Sequence, residues 1–250
     1  MDLSAWEKRS FVIPVLDMSP HSPYNICTLL EDLAPIPGEV ICIFNSHDVF
    51  LQLKDHPRID KYCFNKLNAG VSRSWNLGIN LAEGRSVFIL NADLHIKPKA
   101  VTQLEHYLHT LPKAVFVGPQ GTYLDFQNLR VIRYFGKGQA VQPIRTHDIS
   151  GFLFALHRQR YLDHKLCFDV RYSPCFMEEW DMGMQVMQAD LAIYTVPVVD
   201  FEHEWGISAS REDKPILYFG RPVYRDAVIA ENRIKFLEKW FADNKEKTVA

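Results

Sequence analysis

The sequence contains no apolar run approaching the roughly 18 to 20 residues that cross a bilayer, and its opening stretch, MDLSAWEKRS, lacks the apolar block of a secretory signal. The expectation is a soluble, cytoplasmic protein without a transmembrane segment. Charge of one sign is also missing. With 28 Lys and Arg against 30 Asp and Glu, the formal net charge is −2, so nothing in the balance argues for nucleic acid as a partner, although local peripheral contact with a membrane surface stays open. Cysteine is sparse. The 5 cysteines are odd in number, widely spaced and mostly set among apolar neighbours, as in Ile41-Cys42-Ile43, and read as reduced core thiols instead of disulfides or a zinc site. Internal repeats, low-complexity tracts and linkers are absent too, which points to one domain.

What is present is an ordinary globular composition, with 47% hydrophobic residues over 250 positions. Residues 11–16, FVIPVL, read as a strand; residues 24–33 carry apolar residues at helical spacing before Pro35, Pro37 and Gly38 interrupt them. A second strand, Glu39–Phe44, ends at the polar cluster Asn45, Ser46, His47, Asp48, and a shorter strand falls at residues 62–64. Residues 71–82 place Val71, Trp75, Ile79 and Ala82 on one face of a helix closed by Gly84, and the strand Ser86–Leu90 follows. Strands apolar on both faces, alternating with helices, predict an α/β domain with a mainly parallel sheet covered on two sides. Ligands of such sheets sit at the carboxyl ends of the strands, so the clusters at 45–48 and 91–95 should meet in one crevice. In the second half, residues 115–118, 131–134, 152–156 and 192–199 read as strands continuing the same sheet, with a helix at 179–189. The last helix, about residues 223–243, carries Val223, Ala227, Ala230, Ile234, Leu237 and Phe241 along one stripe.

The stretch SVFILNADLHIKP, residues 86–98, poses a physical question, because a carboxylate at the end of a buried strand is costly unless it is solvated, paired or bound to a cation. In extended chain, residues i and i+2 point the same way, so Asp93 and His95 can present an oxygen and a nitrogen to one ion. That pair, with room for phosphate oxygens, suits Mn²⁺ or Mg²⁺, the imidazole favouring Mn²⁺. The alternative is that Asp93 caps a turn and His95 lies on the surface.

The surrounding residues 68–98 closely resemble the donor-binding core of GT-A glycosyltransferases, especially family 2. Gly70-Val71, Asn76-Leu77-Gly78 and Asn91-Ala92-Asp93 stand in that family's order and spacing. The resemblance extends to FVIPVLD as first strand, to Ser150-Gly151 through Phe168-Asp169 as acceptor-side segment, and to Glu178, Glu179 and Asp181 in place of the family's Glu-Asp-x-Asp. It implies a GT-A, Rossmann-like mixed sheet flanked by helices, with a nucleotide-sugar-binding half at residues 1–98, an acceptor-side half at 99–222 and a C-terminal amphipathic helix at 223–250. Asn91 stands where many members have the first Asp of the metal motif, leaving Asp93 as its carboxylate. Asp93-Leu94-His95 looks like the Asp-x-His variant, in which the His is a second ligand.

The implied activity is metal-dependent transfer of a sugar from a UDP-, GDP- or dTDP-linked donor to a hydroxyl of a glycan or glycoconjugate, with a hexosyltransferase-like, inverting reaction, retention being the alternative seen in some Asp-x-His relatives, and a role in polysaccharide synthesis. The resemblance makes His203 the third metal ligand, with His147 as fallback, and makes Glu179 the base within the carboxylate cluster Glu178, Glu179, Asp181. Asp17, Asn45 and Asp48 are candidates for holding the nucleoside, Arg73 for a phosphate, and Asn76 and Asn91 belong to the donor-binding set. Trp180 and Trp205 are candidates for stacking on a sugar. Residues 206–220, with Arg211 and Lys214, read as a loop closing over the donor. Two rivals remain: a catalytically inactive GT-A-fold glycan-binding or scaffold module, and a nucleotidyltransferase, whose N-terminal Gly-rich, Lys/Arg-containing loop this sequence lacks.

Overall fold

The strands that are apolar on both faces lie in the middle of one large sheet, and their alternating side chains build two separate cores. The computed structural model describes residues 8–20, 22–203 and 214–242. In chain order the elements are β1 (Arg9–Val15), α1 (Ile26–Leu33), β2 (Glu39–Phe44), α2 (His47–Leu53), β3 (Lys61–Phe64), α3 (Val71–Leu81), β4 (Ser86–Leu90), β5 (Leu94–Ile96), α4 (Pro98–Thr110) and β6 (Ala114–Gly118). The second half adds β7 (Gly121–Asp125), β8 (Arg130–Phe135), β9 (Ile144–Thr146), β10 (Leu153–His157), α5 (Arg158–Asp163), α6 (Glu178–Gln188), β11 (Ala192–Thr195), β12 (Phe201–His203), β13 (Ile216–Tyr218), β14 (Arg221–Val223) and α7 (Arg225–Phe241).

The main sheet has the order β3-β2-β1-β4-β10-β6-β11-β9. Strands β1 to β4 run parallel, β10 is antiparallel to both β4 and β6, and β11 is parallel to β6. The result is the expected single α/β domain with a mixed, mainly parallel sheet. Phe11, Ile13, Val15, Phe44 and Phe88 face one side and pack under α1 and α4 through Leu29, Leu33, Leu104 and Leu108. Val12, Ile41, Ile43, Val87 and Ile89 face the other and meet Trp75 and Ile79 of α3 and Met182 and Val186 of α6. The split follows the period of two along a strand.

Local chemistry explains the helix starts. Asn25 caps α1, accepting from the Cys27 and Thr28 N–H groups, while its own N–H donates to Thr28 Oγ1. Helix α3 starts at Gly70, whose φ of 88° and tight approach to Ser173 leave little room for a side chain. Within α3, a Cβ on Gly78 would come within 2.1 Å of Val12 Cγ1, so the glycine of Asn-Leu-Gly is what lets the helix rest on β1.

Two expectations need correction. Residues 131–134 do form a strand, but among the described residues β8 pairs only with β7, in a separate hairpin, and Val131 and Ile132 are exposed. A short apolar run does not say which strand it will pair with. Strand β11 ends at Thr195, short of the expected residue 199, just before Pro197, which has no N–H for a ladder. In the last helix, α7 docks through Val228, Asn232 and Phe236, while Ile234 and Leu237 of its apolar stripe are 59% and 36% exposed. Polar pairing sets that rotation. Asn232 Nδ2 lies 2.7 to 3.0 Å from the carbonyl oxygens of Tyr172, Cys175 and Phe176, and Lys239 Nζ lies 2.9 Å from Asp169 and 2.7 Å from Asp181. Among the described residues no helix is long and apolar enough to cross a membrane.

Candidate active site

The order β3-β2-β1-β4 reverses direction at β1, and the crevice of an open α/β sheet lies where that reversal occurs, at the carboxyl ends of the strands. A cleft of about 440 Å³ opens there. The ends of β1, β2 and β4 supply Asp17, Asn45 and Asn91 to its wall, followed by Asp93 after β4. From the second half come Gly151, Glu178, Glu179, His203 and Arg225.

Asp93 and His203 meet. Asp93 Oδ1 lies 3.3 Å from His203 Nε2, with the two side chains 13% and 7% exposed, and Asn91 Nδ2 lies 3.4 Å from the same nitrogen. The contact is built by tertiary pairing: β12 runs antiparallel to β5, with His203 opposite Leu94, and the His203 ring stacks on Phe152 at 4.4 Å. His95 is not brought to this place. Its Nδ1 lies 2.8 Å from Asp32 Oδ2 of α1, and its ring stacks on Tyr24. The i, i+2 argument fails because residues 92–93 form a tight turn and extended chain begins only at Leu94, so Asp93 and His95 do not share one strand face.

Among the described residues no group of three His, Cys, Asp or Glu side chains is arranged to hold a metal ion. Asp93 and His203 still fit a divalent ion as two protein ligands, one oxygen and one nitrogen 3.3 Å apart at the cleft wall, with diphosphate and water left to complete the shell. The charge of the cleft points the same way. Four carboxyl groups, Asp17, Asp93, Glu178 and Glu179, line it against one guanidinium, Arg225, so a cation beside a bound diphosphate would lower the repulsion.

The carboxylates of α6 divide into two groups. Glu178 and Glu179 line the cleft at the first turn of the helix, after Phe176 and Met177, which both have positive φ (75° and 79°). Two consecutive bulky residues in the left-handed region are strained, and they aim the start of α6 into the cleft. Burial pushes the Glu178 carboxyl up to about 7, against the opposing effect of hydrogen bonds from its own N–H and that of Phe176. Burial, and then the neighbouring Glu178 charge, pushes Glu179 well above its ordinary range, while the Gly151 N–H donates to it. A Cβ on Gly151 would come within 2.3 Å of Glu179 Oε1 and 2.8 Å of Trp75 Cη2, so the absence of a side chain there admits the carboxylate. Asp148, fully enclosed and raised to about 6 by burial, adds to the negative field on Glu179.

Asp181 turns away from the cleft. It is fully buried and accepts from Trp240 Nε1 at 2.8 Å, Gln185 Nε2 at 2.7 Å and Lys239 Nζ at 2.9 Å, with Tyr172 OH 3.2 Å away, so it joins α6 to α7. Nearby Asp169 is raised by burial, but hydrogen bonds from Arg171 and Lys239 more than offset this and hold it well below the usual carboxylate range.

Of the other expected residues, Asn45 lines the cleft but is engaged on both sides of its amide. It donates to Ser74 Oγ and accepts from Asn65 Nδ2 and the Ala69 N–H, fixing the approach to α3. Asp17 is exposed at the rim, beside Ser19. Asp48 is 91% exposed in α2 and does not line the cleft. Arg73 does not line it either: Nη1 donates to Ala69 O, Ser173 Oγ and Tyr218 OH. Asn76 bonds both backbone groups of Phe168, which ties α3 to the acceptor-side segment. Trp180 packs on Phe126 and Phe236 beneath α7, and the His147 ring contacts the Leu124 backbone, so neither belongs to the cleft. Trp205 and residues 206–213, including Arg211, lie outside the described residues. The remainder of the expected loop is ordered as the β13–β14 hairpin. It is fastened to residue 68 by Asn68 Nδ2 to Leu217 O and Phe219 N to Asn68 O, and Ile216 reaches the cleft wall while Lys214 stays exposed.

Sequence reasoning missed Trp75 and Arg225 as cleft residues. Trp75 reads as the core face of α3, which is also true, and Arg225 carries no motif; neither announces its position from the sequence.

Residues 45–164, just under half of the chain, match the family model for glycosyl transferase family 2. No curated protein matches the sequence. Among solved structures, the chain resembles GalNAc-T7 with UDP, GalNAc and Mn²⁺ (TM-score 0.67, 13% identity), covering 95% of this chain and 49% of that one. It also resembles S. aureus TarS 1-349 in complex with UDP (TM-score 0.54, 15% identity), covering 74% of this chain and 57% of that one. A further TarS 1-349 structure matches at TM-score 0.59 and 14% identity, covering 95% of this chain and 73% of that one. The chain thus spans about half the length of the GalNAc-T7 chain. The architecture is that of the GT-A glycosyltransferases.

Proposed function

Given a GT-A fold with a family 2 segment at residues 45–164, we propose that the chain is a nucleotide-sugar-dependent, hexosyltransferase-like glycosyltransferase. It moves a sugar, with inversion at C1, to a hydroxyl of a glycan or glycoconjugate. The observation that carries this reading is the meeting in one cleft of the Asp93–His203 pair with the carboxyl pair of buried Glu178 and half-buried Glu179. The UDP in two of the similar structures supports a UDP-linked donor.

In this reading Glu179 accepts the proton of the attacking hydroxyl as its oxygen bonds to C1, and the C1–O bond to the diphosphate breaks with its electron pair leaving on the nucleotide. The transition state has the oxocarbenium character familiar from glycoside hydrolysis. A carboxylate whose proton affinity is raised by burial is a better base near neutral pH than an ordinary surface Glu. Asp93 and His203 would hold a divalent ion, which when bound supplies Lewis acidity to the departing diphosphate. The start of α6 fixes Glu179 against Gly151, so the base is positioned before substrate arrives.

The test is UDP binding, followed as a thermal shift with and without Mn²⁺, together with UDP-sugar turnover. A ligand that binds only the folded state raises its apparent stability. Wild type should show a Mn²⁺-dependent rise in Tm, and Asp93→Ala should lose the Mn²⁺-dependent part while staying folded. An unchanged Mn²⁺ response in that variant refutes the metal assignment, and binding without any turnover would favour the inactive module.

A further inference from the structure

Hairpin β13–β14 departs from the pattern of a two-stranded ribbon with one face in water. Ile216, Tyr218 and Val223 share its inner face: Ile216 is buried at the cleft wall, and the Tyr218 hydroxyl accepts from Arg73 Nη1 at 2.7 Å. The other face should then be polar. Instead it carries Leu217, Pro222 opposite it in the register, and Tyr224, whose extended backbone (φ −102°, ψ 140°) continues the alternation. Leu217 is 60% and Tyr224 63% exposed, and Pro222 is exposed as well.

The turn adds a second departure. Tyr218 pairs with Arg221, so Phe219 and Gly220 are the two turn residues, with φ of 47° and 76°. Such a turn suits Asn-Gly, and a bulky ring in the left-handed region is uncommon. Phe219 is nevertheless 47% exposed, its ring beside Tyr218 at 4.6 Å and under the Arg73 guanidinium at 5.5 Å. Leu67, equally exposed, adjoins the turn, with its Cδ2 4.0 Å from where a Cβ on Gly220 would stand. Neither side chain belongs to a core, so folding alone gives no reason for apolar residues here.

The surrounding charge says what such a surface meets. Residues 66–73 and 214–225 carry Lys66, Arg73, Lys214, Arg221 and Arg225 and no Asp or Glu, and Lys66, Lys214 and Arg221 are exposed. The whole chain has a formal net charge of −2, so this cationic border is local. A second copy docked face to face would set the same cations against one another. An anionic bilayer suits both parts: aromatic and aliphatic side chains enter the headgroup boundary, and ammonium and guanidinium groups meet lipid phosphates.

We propose that the outer face and turn of the β13–β14 hairpin, with Leu67 and the cations around them, dock the chain onto an anionic lipid surface. Ile216 of the same hairpin lines the cleft, so docking holds the cleft at the membrane. The proposal goes beyond the transferase reading and does not depend on it.

The experiment is co-flotation of the full chain with phosphatidylcholine vesicles made with and without phosphatidylglycerol. Wild type should float with the anionic vesicles, much less with the neutral ones, and less as salt screens the charges. Phe219→Asn, which suits the same turn, and Leu217→Ser should each weaken binding by about tenfold, and Arg221→Gln by about fivefold. Ile132→Ser removes an equally exposed apolar residue from the separate β7–β8 hairpin and should bind as wild type does. Each variant should keep the wild-type Tm; should an apolar variant unfold, Arg221→Gln, at an exposed position, still reads the surface. Three results overturn the proposal: no binding to either vesicle, equal binding to both, or unchanged binding by Arg221→Gln and the folded apolar variants. An equal loss in Ile132→Ser overturns it too, since the contact would then be unspecific. A dimer on sedimentation that Leu217→Ser dissociates, in a chain that vesicles do not bind, assigns the surface to a second copy instead. A chain that floats with anionic vesicles yet ignores UDP refutes the transferase reading and leaves the docking surface standing.

Discussion

Replacing Glu178 by Gln should make the protein more stable at alkaline pH and leave it nearly unchanged in acid. The carboxyl has an ordinary value of 4.5 and is raised to about 7 in the fold, chiefly by burial. At about 1.4 kcal/mol per pKa unit, the ionised form therefore costs the native state roughly 3 kcal/mol at pH 8, an upper bound because Glu179 titrates with it. The sign follows from proton binding. Between about pH 4.5 and 7 the native state holds a proton that the unfolded chain has released, so stability falls as pH rises across that window and stays low above it. Below it both states are protonated and no penalty exists. Gln keeps the shape and can still accept the Phe176 N–H, so the substitution removes the charge and little else. For a chain of this length each kcal/mol is worth about 2 to 4 °C, which puts the expected rise in Tm at pH 8 on the order of 5 to 10 °C. Thermal and urea unfolding of wild type and Glu178→Gln near pH 4.5 and pH 8 provide the assay. An equal gain at both pH values would refute the argument, since it would make shape the cause; a loss of stability at pH 8 would mean that a cation compensates the ionised carboxylate.

Glu179→Gln should lower turnover by roughly 10²-fold or more with little change in UDP affinity, because a base acts in the transition state; equal turnover would remove it from that role. His95→Ala should leave the Mn²⁺ dependence of UDP binding at the wild-type level while lowering Tm, since it removes a ring held between Asp32 and Tyr24; a lost metal response would return His95 to the site. Gly78→Ala should destabilise by about 1 to 3 kcal/mol through overpacking against Val12, read as a lower urea midpoint with the same slope, and a neutral effect would show that α3 can shift on β1. The rate of transfer by wild type should rise with pH at values well above the ordinary carboxylate range, because burial and then the Glu178 charge hold the proton on Glu179, and a profile already flat from the ordinary carboxylate range upward would argue against a raised base.

The first ninety residues could be read because their signals are local. Glu39–Phe44 and Ser86–Leu90 are apolar runs bounded by turn residues, and the helix after Gly70 carries its own start and its glycine contact with β1. Side-chain periodicity reports which faces are buried, and in a parallel sheet covered on both sides that is enough to place the crevice at the strand ends. Asn45, Asn91 and Asp93 reach the cleft wall for that reason, and the Glu178–Glu179 turn reaches it at the start of a recognisable helix.

The remainder depends on contacts between distant segments. His203 reaches Asp93 only through the β12–β5 register, across 110 residues, while His95, two residues from Asp93, is turned to Asp32 by a tight turn that a period of two does not foresee. Asp181 resembles a third member of the carboxylate cluster, but Lys239, Trp240 and Gln185 claim it for the α6–α7 junction. In α7 the best apolar stripe lost to Asn232 and Lys239, because buried carbonyl and carboxylate groups that would otherwise lack partners set the rotation of the helix. The sequence by itself determined which strands and helices form and where the crevice opens, since burial and turn chemistry are properties of neighbouring residues. The tertiary structure decided which polar side chains face that crevice, because a polar group orients toward the partner that desolvation leaves it, and that partner lies far away in the chain.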